Sequence, residues 1–173
     1  ITPSTKAGHG GHDESVSGDD ILKRGILTKE QWEFLSNAVL ALYARGVEIC
    51  ARQGIILVDT KYELGVDPNG EIILIDEIHT PDSSRYWQAK TYKERIEKGL
   101  EPENFDKEFL RLWFKENCDP YKDEVVPKAP VEMVEELSRR YIQIFEQITG
   151  ATFKIEKGNI EKRIENNLKK YTI

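Results

Sequence analysis

Residues that stabilise small secreted proteins are scarce in this sequence. Only two cysteines occur among 173 residues, Cys50 and Cys118, and their spacing is not that of a metal-binding motif. There is no Asn-x-Ser/Thr glycosylation site and no signal-peptide pattern at the start. These absences favour a reducing, cytoplasmic location.

Basic residues are also in the minority. The sequence has 25 Lys and Arg against 31 Asp and Glu, which gives a net charge of −6. A nucleic-acid-binding protein draws most of its affinity from a basic face, so we expect no nucleic-acid partner. No apolar run approaches the ~18–20 residues of a membrane span, so we expect no membrane partner either. The hydrophobic share of 39% is nevertheless enough for a folded core.

Methionine is almost absent. The single one is Met133, and the sequence opens at Ile1 in a stretch of loop character. Because translation begins at methionine, we expect a piece of a longer protein that has been processed, cleaved or only partly determined.

Periodic apolar residues predict several helices. Residues 28–31 have the form of a capping box, and apolar residues at steps of three and four then predict a helix that ends near Gly54. Further helices are predicted over about 105–117, 130–150 and 157–171. Residues 1–19 are interpreted as an ordered loop or arm, and the polar segment after residue 88 as surface.

Two β-rich segments predict a hairpin. Residues 55–65 and 71–77 are the strands, and residues 67–70 have turn chemistry, with a loop over 78–88. The order of elements predicts the α+β class. We expect three parts: an arm over 1–19, a lobe over 20–150 that holds the hairpin and the packing helices, and a helical extension over 151–173.

Alternation along the first predicted strand places Asp59, Lys61 and Glu63 on one face. The other face, with Ile56 and Val58, has the character of core. A two-residue turn would pair Glu63 with Asp76, and a four-residue turn would pair Lys61 with Asp76. An odd-length turn would instead place Glu77 on the charged face.

Two carboxylates a strand apart, with a lysine between them, suit Mg²⁺ and nucleotide phosphates. From the pattern alone, a solvated sheet face with cross-strand salt bridges is the favoured interpretation, because charged strand faces are common in antiparallel sheets.

Three ordered motifs resemble those of the SAICAR synthetases, the phosphoribosylaminoimidazole-succinocarboxamide synthases of purine biosynthesis. Residues 57–65 read LVDTKYELG, which is similar to a family signature except that Leu64 stands where Phe or Ile is usual. Residues 76–87, DEIHTPDSSRYW, resemble a second segment. Residues 2–7, TPSTKA, with HDE at 12–14, resemble a third.

The resemblance implies a SAICAR synthase-like, ATP-grasp-like C-terminal lobe in which an antiparallel hairpin packs with several helices. It implies an ATP-dependent ligation that joins L-aspartate to carboxyaminoimidazole ribotide through an acyl phosphate. The implied cofactors are ATP and Mg²⁺, and the implied partners are these small molecules, with a homo-oligomer as a further possibility.

The resemblance also assigns roles to single residues. Glu63 and Asp76 are expected to ligate Mg²⁺, and Lys61 to meet the substrate carboxylate or the transferring phosphate. The residues expected to bind the ribotide or to lie near the acceptor are Asp82, Ser83, Arg85, Lys6, His12 and Asp13.

One family feature is missing. The family has an N-terminal lobe with an Arg-x-x-x-(Thr/Ala)-Gly-Ser signature, and this sequence has no Gly-Ser dipeptide. We therefore expect the C-terminal portion of such an enzyme, inactive without the missing lobe. The alternatives are a kinase-like phosphotransferase and a non-catalytic interaction or regulatory fragment.

Overall fold

The computed structural model describes residues 1–7, 13–105, 107–119 and 122–171. These residues form helices and short antiparallel strands, which confirms the α+β class. In chain order the elements are α1 (Gly18–Lys23), α2 (Lys29–Arg52), β1 (Ile55–Thr60), β2 (Leu64–Val66), β3 (Ile72–Leu74), β4 (Ser84–Gln88), α3 (Ala89–Glu97), α4 (Glu108–Asn117), α5 (Val131–Thr149) and α6 (Ile160–Leu168).

Helix α2 begins at the predicted capping box. The Thr28 hydroxyl accepts a hydrogen bond from the Gln31 amide at 3.2 Å, and the Gln31 side chain accepts one from the Thr28 amide at 2.9 Å. The helix ends before Gly54, whose φ of 70° suits glycine. Both boundaries are therefore confirmed.

By length and composition, α2 would also be long and apolar enough to cross a membrane, which the sequence analysis did not anticipate. Its contacts favour a role in packing. The helix packs against β1, with Val39, Gly46 and Cys50 buried. Its exposed side carries charged pairs such as Arg45 with Glu48.

The predicted single hairpin over 55–77 is wrong in extent. Strand β1 pairs with β4, and β2 pairs with β3, so the chain forms two separate two-stranded sheets. The first sheet ends where the Lys61 amide donates to the Ser83 carbonyl at 2.9 Å. Strand β4 lies at the end of the predicted loop over 78–88. A continuous run of β-forming residues does not reveal such a change of partner strand.

A β-bulge in β1 also changes which side chains share a face. Leu57 lies opposite Tyr86 and Asp59 lies opposite Arg85, so Val58 is an extra residue. Since Tyr86 and Arg85 are neighbours and point to opposite faces, Leu57 and Asp59 do so as well. The predicted core face is therefore wrong: Ile55 and Leu57 are buried, at 1% and 3% exposed, while Ile56 and Val58 are only half-buried.

The β2–β3 hairpin adopts the odd-length turn. Gly65 lies opposite Ile73, and the Asp67 amide donates to the Glu71 carbonyl at 2.9 Å, which leaves residues 68–70 as a three-residue connection. Glu63 consequently faces Ile75 rather than Asp76, and the Ile75 amide donates to the Glu63 carbonyl at 3.0 Å. The two even-length registers are wrong.

Helices α4, α5 and α6 fall within the predicted ranges. Helix α5 follows Pro130 and ends at Gly150, which has φ 68°. Helices α1 and α3 were not predicted. Ser17 and Asp20 form a capping box at the start of α1, within the segment that was predicted to be an arm. Helix α3 lies in the segment that was predicted only to be polar surface.

The core joins α2, both strands of the first sheet and α5. Its members are all less than 9% exposed in the folded chain: Cys50, Ile55, Leu57, Tyr86, Phe105 and Ile144. The site residues lie where β1 and β4 emerge from this core. The division at residues 19 and 150 stays a prediction.

Candidate active site

Glu63 lies between two lysines from distant parts of the chain. Its Oε1 accepts a hydrogen bond from Lys61 Nζ at 2.6 Å, and its Oε2 accepts one from Lys6 Nζ. The side chain of Glu63 is only 13% exposed, whereas that of Lys6 is 70% exposed. The hydrogen bond from Lys6, followed by that from Lys61, lowers the pKa of Glu63 to about 2. This carboxylate is therefore ionised at neutral pH.

The charges of two further carboxylates raise the pKa of Lys61. The hydrogen bond to Glu63 is the main cause that raises the pKa of Lys61, and the charges of Asp13 and Asp76 add to it. Both aspartates are exposed. We call these five residues, Lys6, Asp13, Lys61, Glu63 and Asp76, the lysine–carboxylate cluster.

The N-terminal arm brings Lys6 and Asp13 to this cluster. Two backbone hydrogen bonds, of 2.9 and 3.1 Å, join residues 3–5 to residues 14–16 in an antiparallel fashion. The Ala7 amide donates to Asp13 Oδ1 at 2.9 Å. The arm is thus folded back on itself, as the prediction of an ordered loop requires.

A second group of charges lies along β4 and the loop before it. The Arg85 Nε donates to both carboxylate oxygens of Asp59 at 3.0 Å, across the β1–β4 ladder. This contact with Arg85 lowers the pKa of Asp59. Asp82 accepts from Lys107 Nζ, from the residue before α4. These pairs are more than 45% exposed, so they contribute little to stability and mainly fix side-chain directions.

The Ser83 hydroxyl points into its own turn. It lies 3.3 Å from the Thr80 amide, which donates to it, and 3.4 Å from the Ser84 hydroxyl. These contacts cap the turn before β4. Ser83 therefore supports the loop that carries Asp82.

A cleft of about 860 Å³ opens beside the lysine–carboxylate cluster. Its walls come from the arm, α2, β1 and the segment that leads into β2. The charged residues that line it are Lys6, Asp13, Asp59, Lys61 and Glu63. Apolar side chains of α2, such as Trp32 and Leu35, form another wall. The volume is within the range of small-molecule sites.

In the described part of the chain, no three His, Cys, Asp or Glu side chains are arranged to hold a metal ion. Mg²⁺ does not need such a cage, because it binds through one or two carboxylates plus water and phosphate oxygens. Glu63 is ionised and Asp76 is exposed, so their donor chemistry fits Mg²⁺. Both oxygens of Glu63, however, are already bonded to lysines.

The structure brings together most of the predicted site. Lys6, Lys61 and Glu63 are in contact, and Asp13 and Asp76 act on the same lysine. His12 lies outside the described residues, and its role stays a prediction.

Two residues were missed as site residues, Asp59 and Lys107, which hold Arg85 and Asp82. The alternation of charges marked Asp59, but no pattern in the sequence linked Lys107 to a loop 25 residues away.

Known proteins are similar to this chain in sequence and in fold. The sequence profile of the SAICAR synthetase family matches residues 1–128. A phosphoribosylaminoimidazole-succinocarboxamide synthase of Legionella pneumophila (strain Paris) is 50% identical over 173 residues, which is 99% of this chain and 55% of that protein.

Solved structures of SAICAR synthases are similar to this chain in fold. SAICAR synthase from Saccharomyces cerevisiae complexed with SAICAR matches with a TM-score of 0.68 and 32% identity, over 89% of this chain and 47% of that one. A SAICAR synthetase in complex with ADP matches with a TM-score of 0.58 and 28% identity, over 83% of this chain and 48% of that one.

The chain spans about half the length of these relatives. Within that span, the fold of this chain agrees with that of the solved relatives. The chain belongs to the SAICAR synthetase family.

Proposed function

We propose that the protein containing this chain is an ATP-dependent ligase that joins L-aspartate to carboxyaminoimidazole ribotide, forming SAICAR, ADP and phosphate. The observation that carries the proposal is Glu63 held between Lys6 and Lys61 at a cleft, in a chain of this family. Relatives solved with SAICAR and with ADP support the choice of substrates.

In this reaction the ribotide carboxylate is phosphorylated, and the amine of aspartate then displaces phosphate. Negative charge spreads over the transferring group, so fixed cations stabilise it. Lys61 is the proposed cation for that group. Its raised pKa keeps it protonated, and its hydrogen bond to Glu63 fixes its direction. Lys6 is a second ammonium on the same carboxylate.

Asp82 and Arg85 are the proposed ribotide-binding residues, supported by the turn of Ser83. Arg85 already engages both oxygens of the Asp59 carboxylate, and a planar guanidinium makes the same kind of contact with phosphate. Asp59 therefore fixes the direction of the Arg85 side chain across the β1–β4 ladder. We assign the 5′-phosphate of the ribotide to Arg85.

We propose Glu63 and Asp76 as the protein ligands of Mg²⁺. The ion, when bound, would neutralise charge on the nucleotide phosphates. The support comes from the charges of these side chains: the ionised Glu63 and the exposed Asp76 both raise the pKa of Lys61. Since both Glu63 oxygens carry lysine hydrogen bonds, Glu63 would hold the ion only after giving up at least one of them.

The remaining half of the enzyme is proposed to supply the N-terminal lobe, with most of the adenine pocket. This chain by itself is then expected to be inactive. We propose a cytoplasmic location, for which the low cysteine content of this chain is the support.

The test is SAICAR formation by the full-length enzyme from carboxyaminoimidazole ribotide, aspartate and MgATP. We expect Glu63→Gln to lower kcat by roughly 100-fold or more, because the variant loses charge and a lysine-positioning acceptor. The variant should stay folded at the assay temperature, with a fall in Tm from the weakened lysine contacts that is too small to explain the loss of activity.

A matched control is Glu33→Gln, an exposed α2 carboxylate that pairs with Lys29. It should leave turnover unchanged. A wild-type enzyme that forms no SAICAR would contradict the proposed function. A Glu63→Gln enzyme with wild-type turnover would contradict only the assignment of Glu63.

A further inference from the structure

Residues 75–83, which we call the acidic loop, join β3 to β4 and carry Asp76 and Asp82. Because β3 and β4 belong to different two-stranded sheets, no shared ladder fixes one relative to the other. Both ends of the acidic loop are hydrogen-bonded to the Lys61–Glu63 segment, since the Ile75 amide donates to the Glu63 carbonyl at 3.0 Å and the Lys61 amide donates to the Ser83 carbonyl at 2.9 Å. The conformation of residues 76–82 between these two anchors therefore sets where Asp76 and Asp82 lie.

His79, at the middle of the acidic loop, has an unusual backbone conformation. With φ 53° it is, among the residues that the structure describes, the only non-glycine residue with a positive φ. A side chain in this region is strained, and such a residue persists only where its surroundings hold it. A glycine or asparagine would be easier here, so the imidazole itself needs an explanation.

The ring of His79 packs directly on the backbone of α2. A Cβ added at Gly46 would overlap the ring, with Nδ1 and Nε2 both at 2.8 Å. Gly46 is buried in the interior of a 24-residue helix, where glycine is unfavourable. The close approach of His79 accounts for a glycine at this position.

Two tyrosines complete the contacts of His79. Its Nε2 lies 2.5 Å from the hydroxyl of Tyr62, the residue between Lys61 and Glu63, and the two rings meet edge to face at 5.5 Å. Its carbonyl oxygen accepts a hydrogen bond from the hydroxyl of Tyr86, which is fully buried in the core.

We propose that His79 is a positioning residue for the active site. It fastens the acidic loop to α2 through Gly46, to the core through Tyr86, and to the Lys61–Glu63 segment through Tyr62. Asp76 and Asp82 are thereby held in a fixed relation to Lys61 and Glu63. This role rests on the proposed function, since its consequence is the geometry of the ligase reaction.

The first test is His79→Phe in the full-length enzyme, which keeps a ring against Gly46 and loses the hydrogen bond to Tyr62. Misplacing catalytic groups by about 1 Å can cost on the order of 100-fold in rate. We expect kcat to fall by about 10- to 100-fold, with the KM for ATP and for aspartate within about 3-fold of the wild type. Tyr62→Phe removes the other partner of the same hydrogen bond. It should likewise lower kcat while the KM values for ATP and aspartate stay near those of the wild type.

A merely structural role would give a different result. It would lower Tm and the folded fraction while kcat per folded molecule stayed unchanged. The matched control is Ile144→Val. Ile144 is a core residue on α5, and the substitution removes one buried methyl group. It should lower Tm and keep the wild-type kcat.

The second test is a double-mutant cycle between Gly46→Ala and His79→Ala. Gly46→Ala alone should lower kcat, because the new Cβ displaces the ring. In the His79→Ala background the ring is gone, so adding Gly46→Ala should change kcat by less than about 2-fold.

The outcomes separate cleanly. A His79→Phe enzyme with wild-type kcat, or equal effects of Gly46→Ala in both backgrounds, would overturn the positioning role while the wild type still makes SAICAR. Absence of SAICAR formation by the wild type would instead overturn the proposed function, and the positioning role with it.

Discussion

Glu63 owes its low pKa to lysines from two distant segments, and this dependence can be measured residue by residue. The hydrogen bond from Lys6 is the largest cause. We therefore expect Lys6→Gln and Lys61→Gln each to raise the pKa of Glu63 above about 2. A ¹³C NMR titration of the glutamate carboxyls measures both changes.

The direction of the pH dependence follows from the same shift. The folded protein holds Glu63 ionised below the ordinary value of 4.5, so the lysine contacts stabilise the fold above that pH and are lost as pH falls toward about 2. Replacing the exposed Lys154 should leave the titration unchanged. An unaltered Glu63 titration in Lys6→Gln would show that the arm is not held at the cluster in solution.

For single residues, the sequence predicted the chemical groups of the site but not all of the side-chain contacts between them. Lys61 and Glu63 were predicted together from their spacing, and the structure joins them at 2.6 Å. The predicted pairing of Asp76 by strand register was wrong, because the ladder ends near Ile75 and the turn has an odd length. Lys107 could not be assigned, since its contact with Asp82 depends on how α4 docks.

Among the elements, β1 depends on one hydroxyl from α2. The Tyr43 hydroxyl lies 3.0 Å from the Leu57 carbonyl and 2.8 Å from the Val58 carbonyl, at the β-bulge. Tyr43→Phe leaves these carbonyls without that donor. We expect a loss of about 1 kcal/mol in the free energy of unfolding, measured by urea denaturation.

The control for this measurement is Tyr171→Phe, a tyrosine with 71% of its surface exposed. It should change the free energy of unfolding by less than about 0.5 kcal/mol. If Tyr43→Phe is equally neutral, the hydroxyl does not hold the bulge.

Gly150 tests the end of α5. Its φ of 68° is left-handed, and a Cβ there would meet no atom within 4 Å, so only backbone strain opposes a side chain. Gly150→Ala should therefore cost about 1 kcal/mol in urea denaturation. Gly150→Asn should cost less, because asparagine tolerates this conformation better. Equal stability of all three would contradict the left-handed cap.

Helix boundaries were predictable where local signals mark them, and strand partners were not. Thr28, Gly54, Pro130 and Gly150 mark the ends of α2 and α5 in the sequence itself. The extra residue Val58 leaves no such mark, because a bulge is defined only against the partner strand. The pairing of β1 with β4, in place of the predicted pairing within one hairpin, also depends on contacts between residues far apart in the sequence.

For the molecule as a whole, the buried core and the C-terminal extension differ sharply in exposure. The core of Cys50, Ile55, Leu57, Tyr86 and Ile144 joins α2, β1, β4 and α5. Every described residue from Gly150 to Tyr171 is exposed, including the apolar positions of α6. The family profile ends at residue 128, before this extension.

This contrast predicts that α6 contributes almost nothing to the stability of the core. Leu168 is 53% exposed and Ile144 is fully buried. Leu168→Ala should change the free energy of unfolding by less than about 0.5 kcal/mol, whereas Ile144→Val should cost about 1 kcal/mol. Hydrogen exchange should show the same order, with α6 amides exchanging before those of α2 and α5. Strong protection of α6 in the full-length enzyme, combined with a costly Leu168→Ala, would mean that its apolar face is covered there by another part of the enzyme.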